Sequence, residues 1–365
     1  MIRVLHILDS LDMGGIESYL MNIYRHIDRS KVQFDFLIFK ENNFFEEEAR
    51  NLGATIYKCQ DSNYFKQVKY VYEIEKKYHY RIVHCHNCAL KRMIREVVPS
   101  RIAGNDVFVI AHSHNTGTPR HNKLDDFERD VMKNIITSSS NALFACSYDA
   151  AQSKYNLKKR DFRLIKNGID TPRFEFNVSV RNRVRGELGI SDQTFVMGNV
   201  ARLEDQKNLG FLIERFAYYH KNVNHDSKLI IIGDGNKRQE LQRLVYDLNL
   251  TGQVFMLGTK NNIPDYLMAM DAFIFPSIFE GLGISLVEAQ ASGLPCIVSS
   301  VIPDEAIVTD LVKKVNLDDI NSWSEELSRL KPATNRNSYA NQVKMAGYDI
   351  SEVAMELEEF YLEHS

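Results

Sequence analysis

The stretch Phe279-Glu280-Gly281-Leu282-Gly283-Ile284-Ser285-Leu286-Val287-Glu288 sets two carboxylates eight residues apart across a glycine-bearing loop. Residues 271–276, just upstream, are β-branched and aromatic and end on Pro276, which predicts a buried strand. Residues 286–291 have helical composition, and Gly293 with Pro295 predicts the end of that helix. The two glycines allow close approach of the backbone to a ligand, and the helix N-terminus offers unpaired N–H groups to an anion. A carboxylate at that place repels a phosphate, so Glu280 and Glu288 are expected to accept hydrogen bonds from hydroxyl groups. A ligand with both phosphate and polyol parts, a sugar nucleotide, meets both conditions.

Outward from this stretch the same order repeats. Strands are expected at 195–200, 228–232, 254–257, 271–275 and 296–299, with helices between them. The first half follows suit, with strands at 4–8, 32–39, 82–86, 107–111, 143–146 and 162–165, and helices at 16–27 and 43–51. Such βα repetition implies an α/β fold of two doubly wound parallel sheets. The expected division is 1–165, 166–345, and an amphipathic C-terminal helix within 346–365 with apolar Val353, Met355, Leu357, Phe360 and Leu362. Residues 177–193 are polar and read as a connector. Ligands of such sheets bind beyond the carboxyl ends of the strands, where the glycines and polar residues of this chain collect.

Several constellations lie at those ends. Arg202 follows a strand and Lys207-Asn208 precedes a helical run. Two cations so spaced can bracket a diphosphate, Arg as a fork and Lys as a point charge, although exposed ion-pair residues are the plainer reading. Gly14-Gly15 and Gly233-Asp234-Gly235 let a loop approach a ligand, and a simple turn or helix cap explains them equally. His112-Ser113-His114-Asn115 ends a strand, where an imidazole can hydrogen-bond a sugar or orient an acceptor hydroxyl. An extended backbone puts His112 and His114 on one face, so the residues alone do not choose between them. His84-Cys85-His86-Asn87-Cys88 admits a zinc or redox module built on Cys85 and Cys88. Against it, Cys85 points away from His84 and His86 in a strand, and no second Cys-x-x-Cys exists, so no metal is expected. The chain also has no Asp-x-Asp to hold a cation on a diphosphate.

The spaced glutamates, together with Gly14-Gly15-Ile16-Glu17, Ile165-Lys166-Asn167-Gly168-Ile169-Asp170, Gly198-Asn199-Val200-Ala201-Arg202, Lys207-Asn208 and Ile232-Gly233-Asp234-Gly235, run in order over nearly the whole chain. This pattern resembles the retaining glycosyltransferases of the GT-B fold, family 4. The resemblance implies two Rossmann-like domains about a cleft, the first for the acceptor and the second for the donor, with the last helix crossing back to the first. Catalytic roles are implied for Glu280, His114, Arg202 and Lys207. Glu280 would position sugar hydroxyls, Glu288 would hold the ribose, and Gly258-Thr259 would meet the base through backbone groups. Gly14, Gly15, Gly233, Gly235, Gly281, Leu282, Gly283, Ile284 and Ser285 would complete the donor site, and His112 and Asn115 would touch the acceptor. The implied reaction moves a sugar, with retention and without a metal or other cofactor, from a nucleoside-diphosphate sugar such as a UDP-sugar to an acceptor hydroxyl. The implied acceptor is a polyprenyl-linked saccharide of capsule or exopolysaccharide synthesis. A sugar-nucleotide epimerase on the same fold and a non-catalytic sugar-nucleotide-binding subunit are the competing readings.

Composition narrows the setting. The net charge is −3, with no basic excess suited to nucleic acid. Residues 1–165 hold 25 Lys+Arg against 20 Asp+Glu, and 166–365 hold 20 against 28. The basic first half, with Lys91, Arg92 and Arg95 on one predicted helix, suits peripheral contact with an anionic membrane. No apolar run reaches the roughly 18 residues of a spanning helix. The opening residues read as a strand rather than a signal peptide. Five scattered cysteines, an odd number, suit a reducing cytoplasm.

Overall fold

The computed structural model describes all residues except Met13, Asn42, Asn43, Asn87, Cys88, Asn105, 117–122 and Thr334, and only the backbone of 123–125. The chain divides into two compact units, Met1–Ile169 with Gly347–Ser365, and Asp170–Ala346. The first holds strands β1 (Ile2–Ile7), β2 (Val32–Ile38), β3 (Ile56–Lys58), β4 (Ile82–His86), β5 (Phe108–Ser113), β6 (Ala142–Ala145) and β7 (Arg163–Leu164). Its helices are α1 (Gly15–His26), α2 (Glu46–Asn51), α3 (Tyr64–Tyr78), α4 (Leu90–Ala103), α5 (Lys123–Ser139) and α6 (Tyr148–Lys154). The second holds β8 (Phe195–Val200), β9 (Ser227–Ile232), β10 (Val254–Met256), β11 (Ala272–Phe275), β12 (Cys296–Ser299) and β13 (Val312–Val315). Around these lie α7 (Val178–Glu187), α8 (Leu209–Asn222), α9 (Arg238–Asp247), α10 (Ile263–Ala269), α11 (Ile284–Ala291), α12 (Ile320–Arg329) and α13 (Tyr339–Val343), and α14 (Ile350–Glu363) returns to the first unit.

Both sheets are parallel, with orders β3-β2-β1-β4-β5-β6-β7 and β10-β9-β8-β11-β12-β13. In each, the strand order reverses beside the unit's first strand: between β1 and β4, and between β8 and β11. Such a switch point opens a crevice at the carboxyl ends of the two strands.

Helix α14 belongs to the core of the first unit. Ile350, Val353, Ala354, Leu357, Phe360 and Tyr361 are buried with residues of β1, β2 and α1. Glu358 accepts from the Asp28 amide at 2.9 Å and from Lys31 at 2.8 Å. Gly168 permits this docking, because a Cβ there would stand 2.8 Å from the Ile350 Cα.

Three departures from the sequence reading have physical causes. Residues 177–193 include a helix rather than a plain connector. Asn177 caps α7 by accepting from the Ser179 and Val180 amides. The helix is held through charge: Arg181 and Arg185 each donate to Asp271 at 2.6 Å, and Asp271 also accepts from the Val196 amide. A helix anchored by arginine shows no apolar stripe. Strands β3 and β13, short edge strands, were not expected from the sequence. The membrane patch also loses a member: Arg95 is buried, 3.1 Å from Asp9, 2.7 Å from Glu96 and over the Phe39 ring. Arg92, half-exposed, is paired with Asp9, and Met93 and Val97 of the same helix are core residues.

Replacing Asp271 by Ala strands the Arg185 guanidinium, whose side chain has no exposed surface. The second unit is expected to lose about 3–5 kcal/mol. Urea unfolding followed by Trp323 fluorescence measures this, since Trp323 is a core residue of that unit.

Candidate active site

The carboxyl ends of β8 and β11 meet at the switch point of the second sheet, and their loops carry the paired charges. After β8 the chain makes a 3-10 turn at Asp205–Lys207, and Asn208 takes the left-handed conformation at φ 53° as it enters α8. That turn aims Lys207 across the switch point. Its Nζ lies 2.6 Å from Glu280 Oε1 and 5.4 Å from the centre of the Phe275 ring. Gln206 fastens the same two loops, donating from Nε2 to the Phe279 carbonyl at 2.8 Å and accepting from the Ile278 amide at 2.8 Å. Glu280 is 6% exposed, and Lys207 is its ion-pair partner.

Immediately after Glu280 the chain turns into α11. Gly283 takes φ 88°, where a Cβ would also lie 2.9 Å from the Phe275 ring. This is a position that requires glycine. No side chain caps α11, and the Gly283 carbonyl accepts from the Leu286 amide at 2.9 Å, so the Ile284 and Ser285 amides of the first turn are left for a ligand or solvent. Leu282 is buried, and Ile284 and Ser285 are half-buried on that first turn. Glu288 lies one turn further. Burial raises its pKa to about 7, with Arg173 pulling the other way.

The remaining donor candidates of this unit divide into two kinds. Gly233 and Gly235 are required by packing: Cβ atoms there would lie 1.9 Å from the Ala201 carbonyl oxygen and 2.5 Å from that of Leu203. The loop they form fixes the one carrying Arg202, with Leu203 N donating to Asp234 O at 3.0 Å. Gly258 accepts from the Gly233 amide at 2.9 Å, and Thr259 beside it is exposed. Arg202 is mostly exposed and pairs with Glu204 at 2.9 Å. Lys207 thus faces Glu280, while Arg202 turns to Glu204.

In the first unit, Gly14 and Gly15 open α1. Neither has positive φ; a Cβ on Gly15 would meet nothing within 4 Å, and Gly14 lies against the Glu17 carboxylate. β5 runs two residues past its expected end, which puts His112 inside the strand and His114 just beyond it. Both project onto the face that carries His84 and His86, and His6 of β1 completes a row of five buried imidazoles. Two hydrogen-bonded chains link them. One runs from Tyr361 Oη to His84 Nδ1 (2.7 Å) and from His84 Nε2 to His112 Nδ1 (3.1 Å). The other joins His6 Nδ1 to His86 Nε2 (2.9 Å) and His86 Nδ1 to His114 Nε2 (3.0 Å). Burial lowers the pKa of His6 and His114 to about 3 and holds those of His84, His86 and His112 well below the usual value, with neighbouring imidazoles adding to the last three. His112 is fully buried, and His114, 8% exposed, stands at the open end. Asn115 is half-buried, with its side-chain oxygen unpartnered. Cys85 is buried on the opposite face, where Glu75 and Glu96 raise its pKa further. Cys88 lies outside the described residues.

The sequence reading missed Gln206, Arg173, His6 and Tyr361. The first two act through loop contacts without a motif. His6 sits alone in an apolar run, and Tyr361 is 277 residues from its partner His84.

Residues 13–173 match the model of Glycosyltransferase Family 4, and residues 180–342 match that of Glycosyl transferases group 1. The putative glycosyltransferase EpsF of Bacillus subtilis is 33% identical over 360 residues, spanning 95% of this chain and 93% of that protein. An Escherichia coli protein named UDP-Gal:alpha-D-GlcNAc-diphosphoundecaprenol alpha-1,3-galactosyltransferase is 26% identical, spanning 90% and 88%. Among solved structures, Anabaena HepE in complex with UDP and glucose superposes with a TM-score of 0.81 at 19% identity over the whole of both chains. The sheets and the family matches agree on two Rossmann-like halves of GT-B type: this chain belongs to glycosyltransferase family 4 and is a glycosyltransferase.

Proposed function

We propose that this enzyme transfers a sugar from a UDP-sugar to a hydroxyl of a lipid-linked saccharide during assembly of a bacterial surface polysaccharide. The observation that carries this reading is the Lys207–Glu280 pair, closed at 2.6 Å over the switch point and next to the uncapped start of α11. The names of the relatives support the substrates: the E. coli protein is named for a UDP-galactose donor and a diphosphoundecaprenol acceptor, and a Staphylococcus aureus relative for capsular polysaccharide biosynthesis. The four described cysteines are free and buried, which fits a cytoplasmic enzyme. Among the described residues no helix is long and apolar enough to cross a membrane. Contact with an anionic membrane surface would fall to exposed residues such as Lys91 and Arg92.

The division of labour follows from charge. N–H groups of α11 and the Lys207 ammonium supply positive charge to a diphosphate, with Arg202 swinging in from the surface. This arrangement makes the proposed transfer independent of a metal on the diphosphate. Glu280, neutralised by Lys207, offers acceptor oxygens to the hydroxyls of the donor sugar without repelling the phosphate. Glu288 does the same for the ribose. A carboxylate committed to an ion pair is a poor base, so the departing phosphate is assigned the acceptor's proton on the face it leaves, which gives retention. His114 keeps one ring nitrogen, Nδ1, for a hydrogen bond to a hydroxyl.

Transfer assayed with a set of UDP-sugars and an undecaprenyl-diphosphate saccharide, with chelator present, tests the whole reading. Product with the same anomeric configuration as the donor is expected; no transfer from any UDP-sugar, or activity only on added manganese, overturns it. Lys207→Met is expected to slow transfer roughly 10²-fold or more by removing charge stabilisation of the leaving group. Single-turnover rates at saturating donor report this, with circular dichroism checking that Glu280 tolerates the change.

Glu288 supplies a pH signature. Its pKa in the free protein is raised to about 7, so the carboxylate that accepts ribose hydroxyls forms only as pH rises through 7. UDP affinity should strengthen between pH 6 and 8, by at most tenfold per unit. In Glu288→Gln this component should vanish, leaving only the titration of UDP itself. Calorimetry of both proteins across that range makes the comparison.

A further inference from the structure

The imidazole row of the first unit leaves part of its bonding capacity unused. His112 Nε2, His114 Nδ1 and the Tyr19 hydroxyl are buried and have no hydrogen-bond partner. They gather in one place, since the Tyr19 ring lies 5.8 Å from that of His112 and 5.4 Å from that of His114. No choice of tautomers cures this. Each neutral imidazole has one N–H and one lone pair, so a chain with an open end must leave one or the other bare. An unsatisfied buried polar group is costly, and several on neighbouring rings call for a ligand that the polypeptide does not supply.

We propose that His86, His112 and His114 bind one zinc-type divalent ion. One ring nitrogen from each lies within 4.8 Å of the other two, and all three residues are buried. The hydrogen-bonded contact between His86 and His114 is 3.0 Å. Two nitrogens on a tetrahedral zinc stand about 3.3 Å apart, given Zn–N distances of about 2.0–2.1 Å, so small ring movements convert the contact into shared coordination. A site with only imidazole ligands suits zinc, copper or nickel, and disfavours magnesium and calcium, which take oxygen. Three protein ligands leave a fourth position open. His114, past the end of β5, is the most exposed of the three and provides the entry. His6 would act as a positioning residue, orienting His86 through its second nitrogen at 2.9 Å.

The site stands on the first unit alone and does not rest on the donor reading above. The two readings meet at His114: an ion on Nε2 fixes the ring and leaves Nδ1 as an N–H that can only donate.

Binding is read without activity. The chelator-treated protein is titrated with Zn²⁺ by calorimetry and with Co²⁺ by visible absorption, where tetrahedral coordination gives intense d–d bands. The wild type should take up one ion per chain. His114→Ala, at the edge of the cluster, should weaken uptake roughly 10²-fold or more and abolish the Co²⁺ bands. His225→Ala, which removes an exposed imidazole elsewhere, should bind as the wild type does. His86→Asn should behave as His114→Ala; should it fail to fold, the edge variant decides. No uptake by the wild type, uptake unchanged in folded His114→Ala, or uptake lost in His225→Ala would each overturn the proposal.

Discussion

The Lys207–Glu280 ion pair is the constraint around which the donor half is organised. Each group is largely removed from water, and removing one partner of such a pair leaves the other charge poorly compensated. Holding them at 2.6 Å requires both loops to be placed closely. The left-handed Asn208 turns one loop, Gly283 turns the other, and Gln206 ties them through two backbone groups. Behind the loops, parallel pairing sets β8 beside β11, and Asp271 fastens α7 to the opposite end of the same strands. The chemistry at one end of the sheet thus rests on a charge network at the other.

Much of this was legible in the sequence, for identifiable reasons. Strands β4, β8, β11 and β12 are apolar runs closed by glycine, proline or polar residues, and both sheets follow from their alternation with helices. Glu280, Gly283 and Glu288 lie close in sequence on one strand–loop–helix unit, so their relation survives without knowledge of the rest. What was lost depends on distance or on exposure. The burial of Arg95 needs Asp9 and Phe39 from other elements. The polar helix α7 is explained only by Asp271, more than 80 residues on. Spacing along a loop did not say that Lys207 turns to Glu280 and Arg202 to Glu204. Gly233 and Gly235, read as ligand-approach glycines, are explained by the backbone of 201–203 pressing on them.

The two switch points treat polarity differently. The second sheet places opposite charges at its crevice, with a helix N-terminus beside them. The first places neutral imidazoles within its sheet, and burial keeps them neutral. In both, the hydrophobic face of the sheet gives way to polar side chains at the carboxyl ends of the central strands. Polar groups so buried are costly unless each finds a partner. The ion pair of the second unit is complete as it stands, whereas the imidazole row of the first is not.

The assignment of the donor site is tested most directly by hydrogen–deuterium exchange of the intact protein with and without UDP. The predicted result is slowed exchange concentrated in two segments, 201–208 and 280–288, where backbone amides would meet the diphosphate and the loops would lose freedom. Unchanged exchange in 280–288 at saturating UDP, with protection appearing elsewhere, would contradict the placement of the nucleotide at this switch point.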